Sequence, residues 1–271
     1  MALRRRNLRH RGARVKALRT LKQWNQPLTP ETLASYGALD FPPPEGPFEP
    51  SGTWEQVWQI WLLKPNRRQT NHLGFIRLRR QPGSSAGTFS LHVEQQVINF
   101  ASLAVQEAEL VCSSDATATP RTWTLRFRLL NFSGKALLTE DRPGRGAGAV
   151  PADEPLTSNW SFLEALQRHS AGAGGDVGPF TLLDELDKVE ENQRLHFRGE
   201  RTLKLGGEEV PVRWYERVGA ATLPWFYYLD RRGRLLLALS GPTAYILNPH
   251  TLEEHRRVLE HLARRQGRRS K

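Results

Sequence analysis

Cysteine is almost missing from this chain: Cys112 is the only thiol among 271 residues. An internal disulfide is excluded, and so is any zinc or iron–sulfur site that draws on several cysteines. Long apolar runs are missing too. The longest uncharged, largely apolar stretch covers residues 235–248, short of the roughly 20 residues that cross a bilayer, and Gly241 and Pro242 interrupt it. No transmembrane segment is expected. The basic start, Arg4-Arg5-Arg6, is followed by Arg9, Arg11, Arg14, Lys16, Arg19 and Lys22 rather than by an apolar core. An export signal is therefore not expected in the chain as written, which points to the cytoplasm.

Signatures of catalysis and cofactor binding are also lacking. Glycine-rich 172–178 has no Gly-Lys-Ser/Thr after it and no convincing strand before it, so its amides have no reason to converge on a phosphate. No G-x-S-x-G elbow occurs. Of the eight histidines, His250, His255 and His261 fall close together, but intervals of five and six scatter their rings around a helix. A helical zinc site favours i, i+4 spacing, so surface positions are expected for all three. The group Asp184, Glu185, Asp187, Glu190 and Glu191 has the carboxylates for acid–base work or a hard cation. On an amphipathic helix such a group is ordinarily a solvated face. The sequence thus predicts no enzyme, no metal and no cofactor.

Charge is plentiful but unevenly placed. Of a net +11, residues 1–24 carry +9 and residues 256–271 carry +6, which leaves the body at −4. Binding to a nucleic acid or an anionic membrane surface would rest on the tails, with Arg4, Arg5, Arg6, Arg264, Arg265, Arg268 and Arg269 as the phosphate-neutralising residues. No nucleic-acid-binding motif accompanies them, so such contact would be nonspecific.

Residues 41–47 (FPPPEGP) read as a stiff extended linker, with the packed body starting near Thr53. Residues 53–63 fit a helical or a strand face, and we read a strand. Residues 88–93 and 121–129 alternate apolar and polar side chains, as half-buried antiparallel strands do. Weaker strands at 73–80 and 103–112, with turn-rich 81–87 and 113–120 between neighbours, complete a meander. Residues 141–155 and 170–178 read as loops. Between them, Ser161 and Glu164 suit a capping box for a short helix ending near His169, and Phe180, Leu183, Leu186 and Val189 share one face of a second helix.

Strands return at 194–198, 201–205 and 210–218, with Gly206-Gly207 as a turn. Asp230 and Gly233 suit a type I turn between strands at 225–229 and 234–239, and a last strand covers 243–247. Thr251 and Glu254 then cap a terminal helix with an apolar stripe at Leu252, Val258, Leu259 and Leu262. The chain reads as α+β and mainly β. A basic tail and proline-rich linker cover 1–50, and one β-rich domain covers 51–250 with a helical insertion at about 158–191. A C-terminal helix and basic tail cover 251–271. Large rings on strands either fill a core or line a cavity. If they line one, Trp123, Phe127, Trp214, Trp225 and Tyr227 are the residues that meet the ligand.

Residues 198–249 resemble the C-terminal half of bacterial envelope proteins related to the LolA/LolB-like lipoprotein carriers. The resemblance lies in the Gly206-Gly207 turn, the amphipathic strand at 210–218, Pro224-Trp225 and the Asp230-x-x-Gly233 hairpin. The segments LGFIRLRR, FSLHVEQ, AELVCSSD and TPRTWTLRF look like the matching first half. The resemblance implies a curved antiparallel sheet, half-barrel-like, with short helices over its mouth. It also implies a lipid or other apolar ligand held between sheet and helices; with the strand order and the aromatic-rich faces, the chain reads as a binding protein and not an enzyme. Such proteins are exported, so a cell-envelope location follows if the true start differs from the one written.

Overall fold

The computed structural model describes residues 28–64, 71–99, 102–145, 155–172, 174–220 and 222–269, apart from the side chains of 143–145 and 267–269. Among these residues the first half of the chain supplies β1 (Trp54–Leu62), β2 (His72–Pro82), β3 (Thr88–Asn99), β4 (Ser102–Ser113), β5 (Pro120–Leu130) and β6 (Ala136–Arg145). The second half supplies β7 (Leu156–Ser158), β8 (Val177–Asp184), β9 (Lys188–Leu205), β10 (Glu208–Val218), β11 (Trp225–Asp230), β12 (Leu235–Ser240) and β13 (Thr243–Leu247). Among the described residues three helices accompany them: α1 (Pro30–Ser35), α2 (Asn159–Ala171) and α3 (Thr251–Arg269).

All thirteen strands belong to one sheet in the order β6-β5-β4-β3-β2-β1-β13-β12-β11-β10-β9-β8-β7. Two meanders run outward from the centre, where β1 pairs with β13 from Trp58↔Leu247 to Leu62↔Thr243. The parallel β7–β8 pair is the exception in an otherwise antiparallel ladder. Because β6 and β7 remain edges, the curved sheet is open and not a closed barrel.

Burial follows from this placement. The central strand β12 reads LLLALS and is buried throughout, as expected of a strand covered on both faces. On the inner face, Trp58, Ile76, Leu91, Leu110, Phe180, Leu195, Tyr227 and Leu235 close around Trp160, Phe162, Leu163 and Leu166 of α2. Nine of the thirteen α2 residues are buried. The indole of Trp58 donates to the Leu235 carbonyl at 2.9 Å, tying the two meanders together inside the core. On the outer face, Leu28, Leu33, Leu39 and Phe41 cover Leu203, Leu205, Val212, Tyr228, Leu237 and Ile246.

Packing therefore begins by Leu28, well ahead of the expected start near Thr53. The expected linker is a strap. Arg234 donates to the carbonyls of Pro44 at 2.8 Å and Gly46 at 3.0 Å, and its guanidinium lies over Phe48. Proline-rich backbone leaves its carbonyls free, and here a buried arginine uses them.

Helix α2 is held inside the sheet by charge as well as by apolar contact. Glu164 is fully buried, and its Oε1 accepts from Arg80 Nε of β2 at 2.7 Å and from Arg168 Nε at 2.8 Å. Arg80, only 3% exposed, also donates to the Ser51 and Gly52 carbonyls. At the other end, the Leu235 amide donates to Gln167 Oε1 at 3.0 Å. Gly233, at φ +79°, lets the β11–β12 turn pass over this end, because a Cβ there would stand 2.5 Å from the Gln167 carbonyl.

Helix α3 docks on the outer face through two histidines. His72 of β2 is 2% exposed and His255 of α3 is 4% exposed. Gln59 Nε2 lies 3.0 Å from His72 Nδ1, His72 Nε2 lies 2.9 Å from His255 Nδ1, and His255 Nε2 lies 3.1 Å from Gln96 Oε1. An amide nitrogen only donates and an amide oxygen only accepts. The chain of bonds therefore has one sense: Gln59 donates to His72, His72 to His255, and His255 to Gln96. Both rings must be neutral for it to close. Burial, aided by His255 and Lys64, pushes His72 down to about 3, and burial pushes His255 down to about 4.

Several local expectations change. The face built from Phe180, Leu183, Leu186 and Val189 belongs to no helix: 177–184 is β8, and Glu185 and Leu186 turn into β9 at φ +51° and +58°. The inserted helix is α2 alone. Its capping box joins Ser158 and Ser161, each accepting the other's amide at 3.0 Å, so Ser161 sits inside the first turn and not at the cap. Thr251 likewise lies inside α3, where its hydroxyl donates to the Asn248 carbonyl at 2.7 Å. The strands expected at 194–198 and 201–205 are parts of β9, which continues past Gly199 at φ +115°. Strand β6 takes up the start of the loop expected at 141–155, while 146–154 lie outside the described residues. His255 is buried, against the expected surface position. Among the described residues no helix is long and apolar enough to cross a membrane.

Candidate ligand cavity

A cavity of about 360 Å³ lies between the N-terminal half of α2, the β8–β9 turn and strands β10 to β13. Its size falls within the roughly 300–1,000 Å³ of small-molecule sites. Ile76, Trp160, Leu163, Trp225, Tyr227 and Tyr245 give it an apolar and aromatic wall, and Thr222 and Leu223 stand at its edge. Leu223 is 63% exposed there. The rings are arranged against each other: Trp225 stacks on Tyr227 at 6.2 Å and 16°, and meets Tyr245 at 4.9 Å. Burial raises Tyr227 to about 12 and raises Tyr245 as well, so both phenols stay protonated.

Charged groups line the rest: Asp184, Glu185, Lys188, Glu190 and Arg217. Their circumstances differ. Glu185 is held by amides, accepting from Gln95 and Gln106 at 2.8 Å each, while its backbone amide donates to Asn159 Oδ1 at 3.0 Å. Gln95 in turn accepts from the Trp160 indole at 3.0 Å, so the back wall is a bonded unit spanning β3, β4, α2 and the β8–β9 turn. Glu190 accepts from Lys188 at 2.7 Å. Asp184 is pushed up by burial and by the neighbouring Glu185 and Glu190. Arg217 is 6% exposed, lies 5.8 Å above the Phe162 ring and has a buried Nε without a hydrogen bond among the described residues.

Of the five aromatics singled out from the sequence, Trp225 and Tyr227 line this cavity. Trp123 packs against the edge of the inner core, and Phe127 is half-buried on the same strand, β5. Neither reaches the cavity. Trp214 belongs to the outer face, where it stacks on Tyr228 at 6.3 Å and 9°. Tyr215, its neighbour on β10, faces the inner core, as successive residues of a strand face opposite sides.

The acidic group is divided. Asp184, Glu185 and Glu190 line the cavity, and Asp187 and Glu191 are exposed. Sequence reasoning passed over Arg217 and Tyr245. The available signal was a charged residue two positions after Tyr215, on the inward side of a strand. Of the tail arginines, Arg264 and Arg265 are exposed on α3, and only the backbone of Arg268 and Arg269 is described. Arg4, Arg5 and Arg6 lie outside the described residues.

A larger groove of about 590 Å³ runs between the proline strap, β1 and the start of α3. Size favours it, but convergent chemistry does not. Arg234 there is bonded to the strap, and the lining residue buried without a hydrogen bond is the neutral Gln56. The inner cavity combines aromatic walls with an unbonded charge and is the better site. No protein-family model matches the chain, and no curated protein or solved structure matches it either.

Proposed function

We propose that this is a binding protein, not an enzyme, that holds a lipid or other amphipathic ligand between its sheet and α2. The observation that supports this most is the cavity itself, with apolar and aromatic walls on one side and charged groups on the other. Such a lining suits a molecule with an apolar body and a polar end. The open, curved sheet wrapped around one helix suits the carrier architecture implied by the family resemblance.

A cavity-filling substitution tests the reading. Leu163 lines the cavity from α2. Leu163→Trp is expected to weaken binding of a fluorescent apolar probe to the full chain by about tenfold or more, while costing about 1–3 kcal/mol of stability through overpacking. Binding is read by fluorescence titration and folding by circular dichroism. A wild-type chain that takes up no probe, or a variant that binds it as well as the wild type, contradicts the proposal.

A second reading has the basic ends on a nucleic acid or an anionic surface. Arg256 and Arg257 are paired with Glu260 and Glu253 on α3. Arg264 and Arg265 are exposed without an ion pair among the described residues, which favours them for such contact. Removing residues 264–271 is expected to lower affinity for RNA or acidic vesicles and to flatten its salt dependence. Unchanged binding would end this reading.

A further inference from the structure

Arg217 is the buried charge at the cavity that no hydrogen bond engages among the described residues. It projects from β10 opposite Trp225 of β11. Its closest carboxylate, Glu190, stands 4.0 Å from Nη2, beyond hydrogen-bond reach, and already accepts from Lys188 at 2.7 Å. Each oxygen of Glu185 already accepts from an amide, one from Gln95 and the other from Gln106. The guanidinium thus makes no hydrogen bond among the described residues, although it is more than nine-tenths buried and borders the cavity. A guanidinium does not shed its proton, so its charge persists at every ordinary pH. Burial without bonded partners is unfavourable unless something else supplies acceptors.

Resting on the cavity reading above, we infer that Arg217 receives the carboxylate of an amphipathic acid whose apolar body lies against Trp225, Tyr227 and Leu163. A planar carboxylate accepts two parallel N–H bonds from a guanidinium, and burial of the guanidinium strengthens them. Burial and the neighbouring Glu185 and Glu190 push Asp184 up, while Arg217 and Lys188 act the other way. A phosphate monoester, close to dianionic at neutral pH, meets Glu185 and Glu190 with twice the charge. An alkylammonium meets Arg217 directly.

Calorimetric titration of the full chain with decanoate, decanol, decyl phosphate and decyltrimethylammonium separates these cases, since the four share a tail and differ in headgroup. Decanoate is expected to bind about tenfold or more tightly than the other three. Arg217→Gln is expected to bring decanoate down to the level of decanol while leaving decanol within about twofold. Decanol or the ammonium binding as tightly as decanoate would overturn the carboxylate assignment and leave the cavity reading standing. Decyl phosphate binding most tightly would replace the carboxylate with a phosphate. Binding of none of the four would remove the cavity reading, and this inference with it. The wild-type ranking decides the matter even if the variant fails to fold.

Discussion

Replacing Glu164 with alanine is expected to destabilise the protein by about 3–5 kcal/mol, among the largest single-site effects in the molecule. Glu164 is fully buried and its Oε1 accepts from both Arg80 and Arg168. Truncation removes the acceptor and leaves Arg80, itself 3% exposed, with only backbone carbonyls as partners. The expected cost comes mostly from that stranded charge. Changing both partners to apolar residues of similar size, Glu164→Leu with Arg80→Met, is expected to cost less than Glu164→Ala alone. Urea unfolding of Glu164→Leu, Arg80→Met and the double gives the coupling directly. A loss below about 1 kcal/mol for Glu164→Ala would mean that the pair does not pin α2.

Acidification is the second large effect. An unfolded histidine takes up its proton near 6.5, whereas His255 resists to about 4 and His72 to about 3 in the folded chain. Below pH 6.5 the unfolded or undocked state binds more protons, so stability is intact above that pH and falls as the pH drops towards 4. With two groups the slope reaches at most about 2.7 kcal/mol per pH unit. Burial raises Glu254, whose protonation then opposes the trend, but that is one group against two larger shifts. The other charges nearby are Lys64, which repels a protonated His72, and Glu94, which accepts from Gln96 at 2.9 Å. Hydrogen exchange is expected to show α3 opening first as the pH falls. His255→Phe, which keeps an aromatic contact with Phe75, is expected to flatten the response. A wild-type pH profile that is flat between 7 and 4.5 would contradict the neutral His72–His255 bond.

The strands were readable wherever one face is solvated or both are covered. Arg121 to Leu129 alternates cleanly because β5 lies near an edge, and LLLALS is continuous because β12 lies at the centre. The Asp230–Gly233 turn was readable from its own chemistry, since Asp230 Oδ1 accepts from the amides of Arg232 and Arg234 at 2.8 and 2.9 Å. Phe180, Leu183 and Leu186 misled because a three-residue spacing also arises in a strand followed by a turn. The local pattern cannot show that Glu185 and Leu186 adopt left-handed backbone.

The site was harder to read. Trp225 and Tyr227 stood out as rings on a strand, but their difference from Trp214 depends on which face of the curved sheet each occupies. Arg217 draws its meaning from Glu190, Phe162 and Trp225, brought together by the pairing of β10 with β9 and β11 and by α2. His255 draws its meaning from a partner 183 positions away. Periodicity reports neighbours along the chain, and these contacts are long-range.

The central claim is that an amphipathic ligand lies inside the sheet, beside α2. A crystal of the full chain grown with an alkyl carboxylate brominated at its far end tests this most directly, because bromine is located by its anomalous scattering. The account predicts a bromine peak among Ile76, Leu163 and Trp225 with the carboxylate against Arg217. A peak only in the outer groove beside Phe48 and Leu252, or no ordered bromine while the inner cavity stays sealed by side chains, would contradict it.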